Sequence, residues 1–127
     1  QVQLRRKYGR AAFYPVRLLE RKIVLYGAGK FGQDLYQRLT DDKNHEVVLW
    51  VDKNAADLRE RGMTNVYSVQ QIEKASYDQV VIAVMDGLTA REIQRELEEL
   101  GIGKDRILWI EAFQHSNIQV QWQADKL

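Results

Sequence analysis

The sequence predicts an α/β domain built on a doubly wound, all-parallel sheet. Three observations predict it. Five short runs, at 23–26, 47–51, 66–67, 80–84 and 107–110, are apolar almost throughout, as strands buried on both faces must be. Segments of helical periodicity separate them, which is the alternation that parallel sheets require. Right-handed crossovers then favour the strand order 3-2-1-4-5.

The elements follow in order. Residues 4–13 can make a short helix, which Pro15 stops because it restricts Tyr14 and lacks an N–H. Residues 23–26 are the first strand. Residues 30–39 are a helix, with Phe31, Leu35 and Leu39 four apart on one face. Residues 47–51 are the second strand. Asn54 caps a short helix to about Arg61, with Gly62 past its end. The third strand is 66–67. Ser68 to Gln71 has capping-box spacing and opens another short helix. The fourth strand is 80–84. Thr89 to Glu92 is a second capping box, before a helix striped by Ile93, Leu97 and Leu100 and ended by Gly101. The fifth strand is 107–110. In the tail, Ile118, Val120 and Trp122 alternate with Gln119, Gln121 and Gln123. That period predicts an extra edge strand, paired to this sheet or to another chain.

Domain organisation follows: a basic leader at 1–22, the α/β domain at 23–112 and a tail at 113–127. The leader holds seven basic residues against Glu20, a net of +6, whereas the whole chain is only +1. Such a segment can meet nucleic acid or an anionic membrane. Few aromatics interleave with the charges and the rest of the chain is acidic, so a solvated helix, a linker or a docking segment is the better reading and no nucleic-acid partner is expected. The longest apolar run, 80–85, is six residues, too short for membrane insertion. The absence of cysteine excludes disulfide scaffolds, thiolate zinc sites and cysteine nucleophiles. No charged-then-apolar signal segment follows Gln1, so a cytoplasmic location is expected. A chain that opens on Gln is also expected to be a piece of a larger protein.

The chemistry-bearing motif is Gly27-Ala28-Gly29-Lys30-Phe31-Gly32. It fits G-x-G-x-x-G, after a strand and opening a helix, the context of a Rossmann-like nucleotide site. Gly27 permits the tight turn, Gly29 lets backbone approach a phosphate, and Gly32 lets helix and sheet pack closely. The bare amides and the helix dipole favour an anion. Lys30 either reaches a pyrophosphate or points to water. Asp52 ends the second strand, twenty residues after Gly32. A carboxylate there accepts hydrogen bonds from a ribose and repels a 2′-phosphate, so NAD or another unphosphorylated ribose is favoured over NADP. Lys53 weakens that discrimination. A plain turn or cap role for Asp52 is the alternative. Asp86 leaves the fourth strand on the same sheet edge, where capping the next turn is its expected role.

No catalytic set is visible, and no metal site. His45 and His115 stand alone. Tyr26 and Lys30 have Tyr-x-x-x-Lys spacing, but they fall on a strand and a turn rather than on one helix face. Glu96, Glu98 and Glu99 with Arg91 and Arg95 make a solvated charged face.

Several stretches together carry a resemblance: Phe13-Tyr14-Pro15, Lys22-Ile23-Val24-Leu25-Tyr26 running into the glycine turn, Val48-Leu49-Trp50-Val51-Asp52-Lys53, and Tyr77-Asp78-Gln79-Val80-Val81-Ile82-Ala83-Val84. Over residues 13–112 the chain resembles a small Rossmann-like module attached to bacterial surface-polysaccharide enzymes. Relatives of that module accompany glycosyltransferases, sugar-phosphate transferases and methyltransferases, or form the amino-terminal domain of nucleotide-sugar dehydratases and sugar acetyltransferases. The resemblance implies a nucleotide or nucleotide-sugar ligand, carried over onto Gly27, Gly29, Gly32 and Asp52. It also implies a catalytic domain elsewhere in the same protein.

The expected function is therefore a non-catalytic nucleotide-binding module of a larger transferase in cell-envelope polysaccharide synthesis. Its expected ligand contacts are Gly27, Ala28, Gly29, Lys30, Phe31, Gly32, Asp52 and Lys53. Its expected partners are a small nucleotide, the missing catalytic domain and a second copy in a homodimer. Two alternatives stand beside it: a truncated NAD-dependent oxidoreductase or nucleotide-sugar dehydratase, and a dimerisation module with a vestigial pocket.

Overall fold

The computed structural model describes residues 19–110. The helix expected at 4–13, nearly all of the basic leader, His115 and the edge strand expected at 118–122 lie outside the described residues.

Four strands form one all-parallel sheet: β1 (Lys22–Tyr26), β2 (Glu46–Val51), β3 (Gln79–Ile82) and β4 (Ile107–Trp109). Their spatial order is β2-β1-β3-β4. The helices are α1 (Lys30–Asp41), α2 (Ala55–Glu60) and α3 (Gly87–Glu99), with 3-10 turns at Val69–Lys74 and Lys104–Arg106.

The five-strand expectation is corrected at its third member. Residues 66–67 make a single parallel bridge, Tyr67 to Val51. The Tyr67 amide donates to the Trp50 carbonyl at 2.8 Å, and the Asp52 amide donates to the Tyr67 carbonyl at 3.1 Å. The chain then turns into the 3-10 segment at Val69, which ends the pairing beyond Tyr67. The bridge lies outboard of β2, where the order 3-2-1-4-5 puts a third strand.

Alternation along β1 sorts its side chains to two faces. Ile23 and Leu25 join Phe31, Leu35 and Leu39 of α1, with Trp50 and Val81, in one core. Tyr36 of α1 stacks on Trp50 with ring centres 4.0 Å apart. Val24 and Tyr26 join Ala90, Ile93 and Leu97 of α3, with Val80 and Ile82, in the other. Burying both faces explains why β1 and β3 read as continuous apolar runs. β2 is less covered: its first four residues are exposed or half-buried.

The helix starts differ from the capping-box expectations. Ser68 makes no side-chain cap bond, and the segment after it is 3-10 rather than α. α3 begins at Gly87, two residues before Thr89, because Asp86 supplies the cap. Its carboxylate accepts from the Thr89 amide at 3.0 Å and the Thr89 hydroxyl at 2.8 Å. The expected capping role of Asp86 is thus the observed one.

From β1 the chain runs to β2 on one side, then crosses to β3 on the other. The topological switch point falls between the carboxyl ends of β1 and β3. Gly27 and Ala83 meet there, with the Ala83 amide donating to the Tyr26 carbonyl at 2.8 Å.

Candidate functional site

The turn at the switch point is held by close backbone contacts. Gly27 has φ +125°, a region that suits glycine, and a β-carbon on it would lie 2.5 Å from the Ala83 carbonyl oxygen. Its amide donates to the Val51 carbonyl at 2.8 Å. Gly32, in the first turn of α1, sits so close that a β-carbon would be 2.0 Å from the Gly27 carbonyl oxygen. The buried Trp50 indole donates to that same oxygen at 2.7 Å. The helix start and the second strand therefore clamp one carbonyl between them.

Asp52 adds a further tie. Its Oδ2 accepts from the Ala28 amide at 2.8 Å and its Oδ1 from the Asn54 amide at 2.8 Å. The first bond reaches across to the glycine turn; the second is an Asx-type turn, the alternative role for this residue. An ionised carboxylate has about four acceptor positions, so both oxygens keep capacity for a further donor. Gln33 secures the other side of Ala28, its amide nitrogen donating to the Ala28 carbonyl at 3.0 Å.

Gly29 and Lys30 differ from the rest of the turn. Gly29 is the N-cap of α1, with φ −76° and ψ −168° and no side chain to cap the helix. A β-carbon there would meet nothing within 4 Å. No acidic residue lies in the first turn of α1, and Lys30 opens it with an exposed side chain. The Gly29 and Lys30 amides have no hydrogen-bond partner among the described residues. A bare helix start with a cation on it runs against the dipole, whereas α3 in the same domain begins with a carboxylate cap.

The expected ligand residues thus separate into groups. Gly29 and Lys30 form an open rim, and Lys53 is exposed beside Asp52. Gly27, Ala28 and Gly32 are buried backbone supports. Phe31 is 7% exposed and packs in the α1 core, so its side chain is a hydrophobic anchor. Trp50 and Gln33 also hold the turn. A donor on a strand or helix has no motif, so no sequence signal marked them.

Tyr26 also acquires a role. Its hydroxyl donates to Glu96 of α3 at 2.9 Å, linking β1 to that helix. Burial, foremost, then the hydrogen bond to Glu96 and the charges of Glu96 and Asp52, hold the phenol well above its ordinary pKa. The hydroxyl is engaged on α3 and Lys30 stands at the start of α1, so the structure does not bring the two together as a catalytic pair. His45 lies in the loop before β2, its Nδ1 3.1 Å from Asp42 Oδ2. Among the described residues, no group of three or more His, Asp or Glu could hold a metal ion, and no helix is long and apolar enough to cross a membrane.

Residues 19–108 match the family described as C2185-like, N-terminal. The chain belongs to this family. The matched C2185-like span contains all of β1, the glycine turn, Asp52 and Asp86, and it ends within β4. No curated protein and no solved structure matches the chain.

Proposed function

We propose that this C2185-like N-terminal domain is a nucleotide-binding module. Its ligand is a nucleotide, a nucleotide-sugar or NAD, held through its phosphates at the turn 27–32. The module serves a larger transferase of bacterial cell-envelope polysaccharide synthesis, whose chemistry belongs to another domain. The single observation that supports this is the pair of unpartnered amides on Gly29 and Lys30 at the uncapped start of α1. Two backbone donors at the positive end of a helix, beside an exposed lysine, form a receptor for phosphate oxygens. Asp52 keeps the neighbouring Ala28 amide in place and retains acceptor capacity for ribose hydroxyls. The polysaccharide context rests on the sequence resemblance alone.

One observation favours a second reading, that of a vestigial pocket. The Ala28 amide is already occupied by Asp52, so the turn is satisfied internally at that position.

Thermal unfolding with NAD, NADP, a UDP-sugar, a CDP-alcohol and coenzyme A separates the two. A ligand present at about a hundredfold its Kd stabilises by about 2.7 kcal/mol. The module reading expects such a shift with at least one of these, and its loss in Gly29→Val. That variant should fold, since its side chain enters open space at an ordinary backbone conformation. No shift with any ligand supports the vestigial pocket.

A further inference from the structure

A concavity lies at the opposite end of the strands from the glycine turn. It is a cleft of about 400 Å³ at the amino ends of β3 and β4, where the carboxyl end of α3 approaches. Ile72 and Ile102 are buried in its floor, and Leu100, 39% exposed, stands on its rim. The ring of Tyr77 and the side chain of Arg106 complete the wall, with Glu73 also lining the cleft.

Arg106 is built into this place. Its Nη2 donates to the Tyr77 carbonyl at 2.6 Å and its Nε to the Asp78 carbonyl at 3.5 Å. Its guanidinium lies 4.4 Å from the centre of the Tyr77 ring. A guanidinium carries five N–H donors, so three remain after these two bonds. The Asp78 carboxylate accepts from the Lys22 amide, and Arg106 has no carboxylate partner among the described residues. Stacking and the carbonyl bonds fix the cation before any ligand arrives, so little side-chain freedom remains to be lost on binding.

We propose that this cleft binds a small monocarboxylate with a short hydrocarbon body. The carboxylate pairs with the open donors of Arg106, and the body lies against Ile72, Leu100 and Ile102. The planar guanidinium edge matches a planar carboxylate. One arginine and one glutamate line the cleft, so a monocarboxylate leaves it with a net charge of −1 and a dianionic phosphate with −2, and the singly charged ligand is the less repelled. The cleft sets the apolar side chains of Ile72, Leu100 and Ile102 beside the polar groups of Arg106, Tyr77, Ser76 and Glu73, and small-molecule sites likewise use a few placed polar groups to orient an apolar body. The site is independent of the glycine turn and of what binds there.

The test is a titration of the full 127-residue chain with hexanoate, followed by methyl NMR of Ile72, Leu100 and Ile102. Saturable shifts of these methyls are expected. Hexanamide, with the same body and no charge, should bind at least about tenfold more weakly, as should hexanoate to Arg106→Gln. Inorganic phosphate should leave the methyls unmoved. The proposal is overturned if hexanoate gives no saturable shift, if hexanamide binds as well as hexanoate, or if phosphate competes equally. The comparison of hexanoate with hexanamide needs no variant, so it decides the matter even if Arg106→Gln fails to fold.

Discussion

Replacing Gly32 with alanine tests the packing at the base of the glycine turn. The added β-carbon would sit 2.0 Å from the Gly27 carbonyl oxygen. Ordinary contact needs more than 3 Å, so α1 must retreat by about 1 Å or the turn must deform. Phe31, Leu35 and Leu39 would move with the helix, and such overpacking costs about 1–3 kcal/mol. The Trp50 indole bond to the same carbonyl would be strained or lost, leaving a buried donor unsatisfied at about 1–3 kcal/mol. Alanine regains about 1 kcal/mol of helix propensity over glycine. The net expectation is a loss of about 3 kcal/mol. A domain of this size loses roughly 4–8 °C per kcal/mol, so the midpoint should fall by roughly 12–24 °C. Thermal melts followed by circular dichroism measure it. Gly29→Ala is the matched control: its β-carbon meets nothing within 4 Å, and the melt should stay within a few degrees of the parent. If Gly32→Ala melts with the parent, the close approach of α1 to the turn is not a constraint and the reasoning fails.

Other outcomes follow from the same geometry. Asp52→Ala removes the acceptor of the Ala28 and Asn54 amides and should cost about 1–3 kcal/mol in urea unfolding, with Asp52→Asn falling between it and the parent. Tyr26→Phe removes the hydroxyl bond to Glu96 and should cost about 0.5–1.5 kcal/mol in the same assay. The Asp86 carboxyl is held below its ordinary pKa, chiefly by its bond to the Thr89 side chain and then by the Thr89 amide. A depressed folded-state pKa means that its contribution is complete above the ordinary aspartate value and is lost as pH falls through the folded one. Asp86→Ala should therefore lower hydrogen-exchange protection at the start of α3 near neutral pH, and the difference from the parent should shrink under strong acid.

The sheet was legible in the sequence because strands buried on two faces leave unbroken apolar runs, as at 23–26 and 80–82. The glycine turn was legible because two of its glycines answer a steric demand, the positive φ of Gly27 and the 2.0 Å approach at Gly32, whereas Gly29 answers none within the protein. The third strand is the exception. Val66 and Tyr67 have strand composition, yet pairing depends on where the chain goes next, and the 3-10 turn at Val69 limits it to one bridge. The capping boxes misled for a related reason. Thr89 lies inside the first turn because Asp86, three residues earlier, offers a stronger acceptor. Asp52 directly follows β2, as its spacing predicts, but its bond to Ala28 is a tertiary contact that spacing alone does not reveal. The clamp of Trp50 on Gly27 was hidden in the same way, since its donor and acceptor lie on different elements.

The most direct test of the phosphate-receptor account is an amide NMR titration of the full chain with UDP-glucose, and in parallel with NAD. Large saturable shifts at the Gly29 and Lys30 amides, absent in Gly29→Val, are the expected result. Unmoved Gly29 and Lys30 signals with both ligands would contradict it.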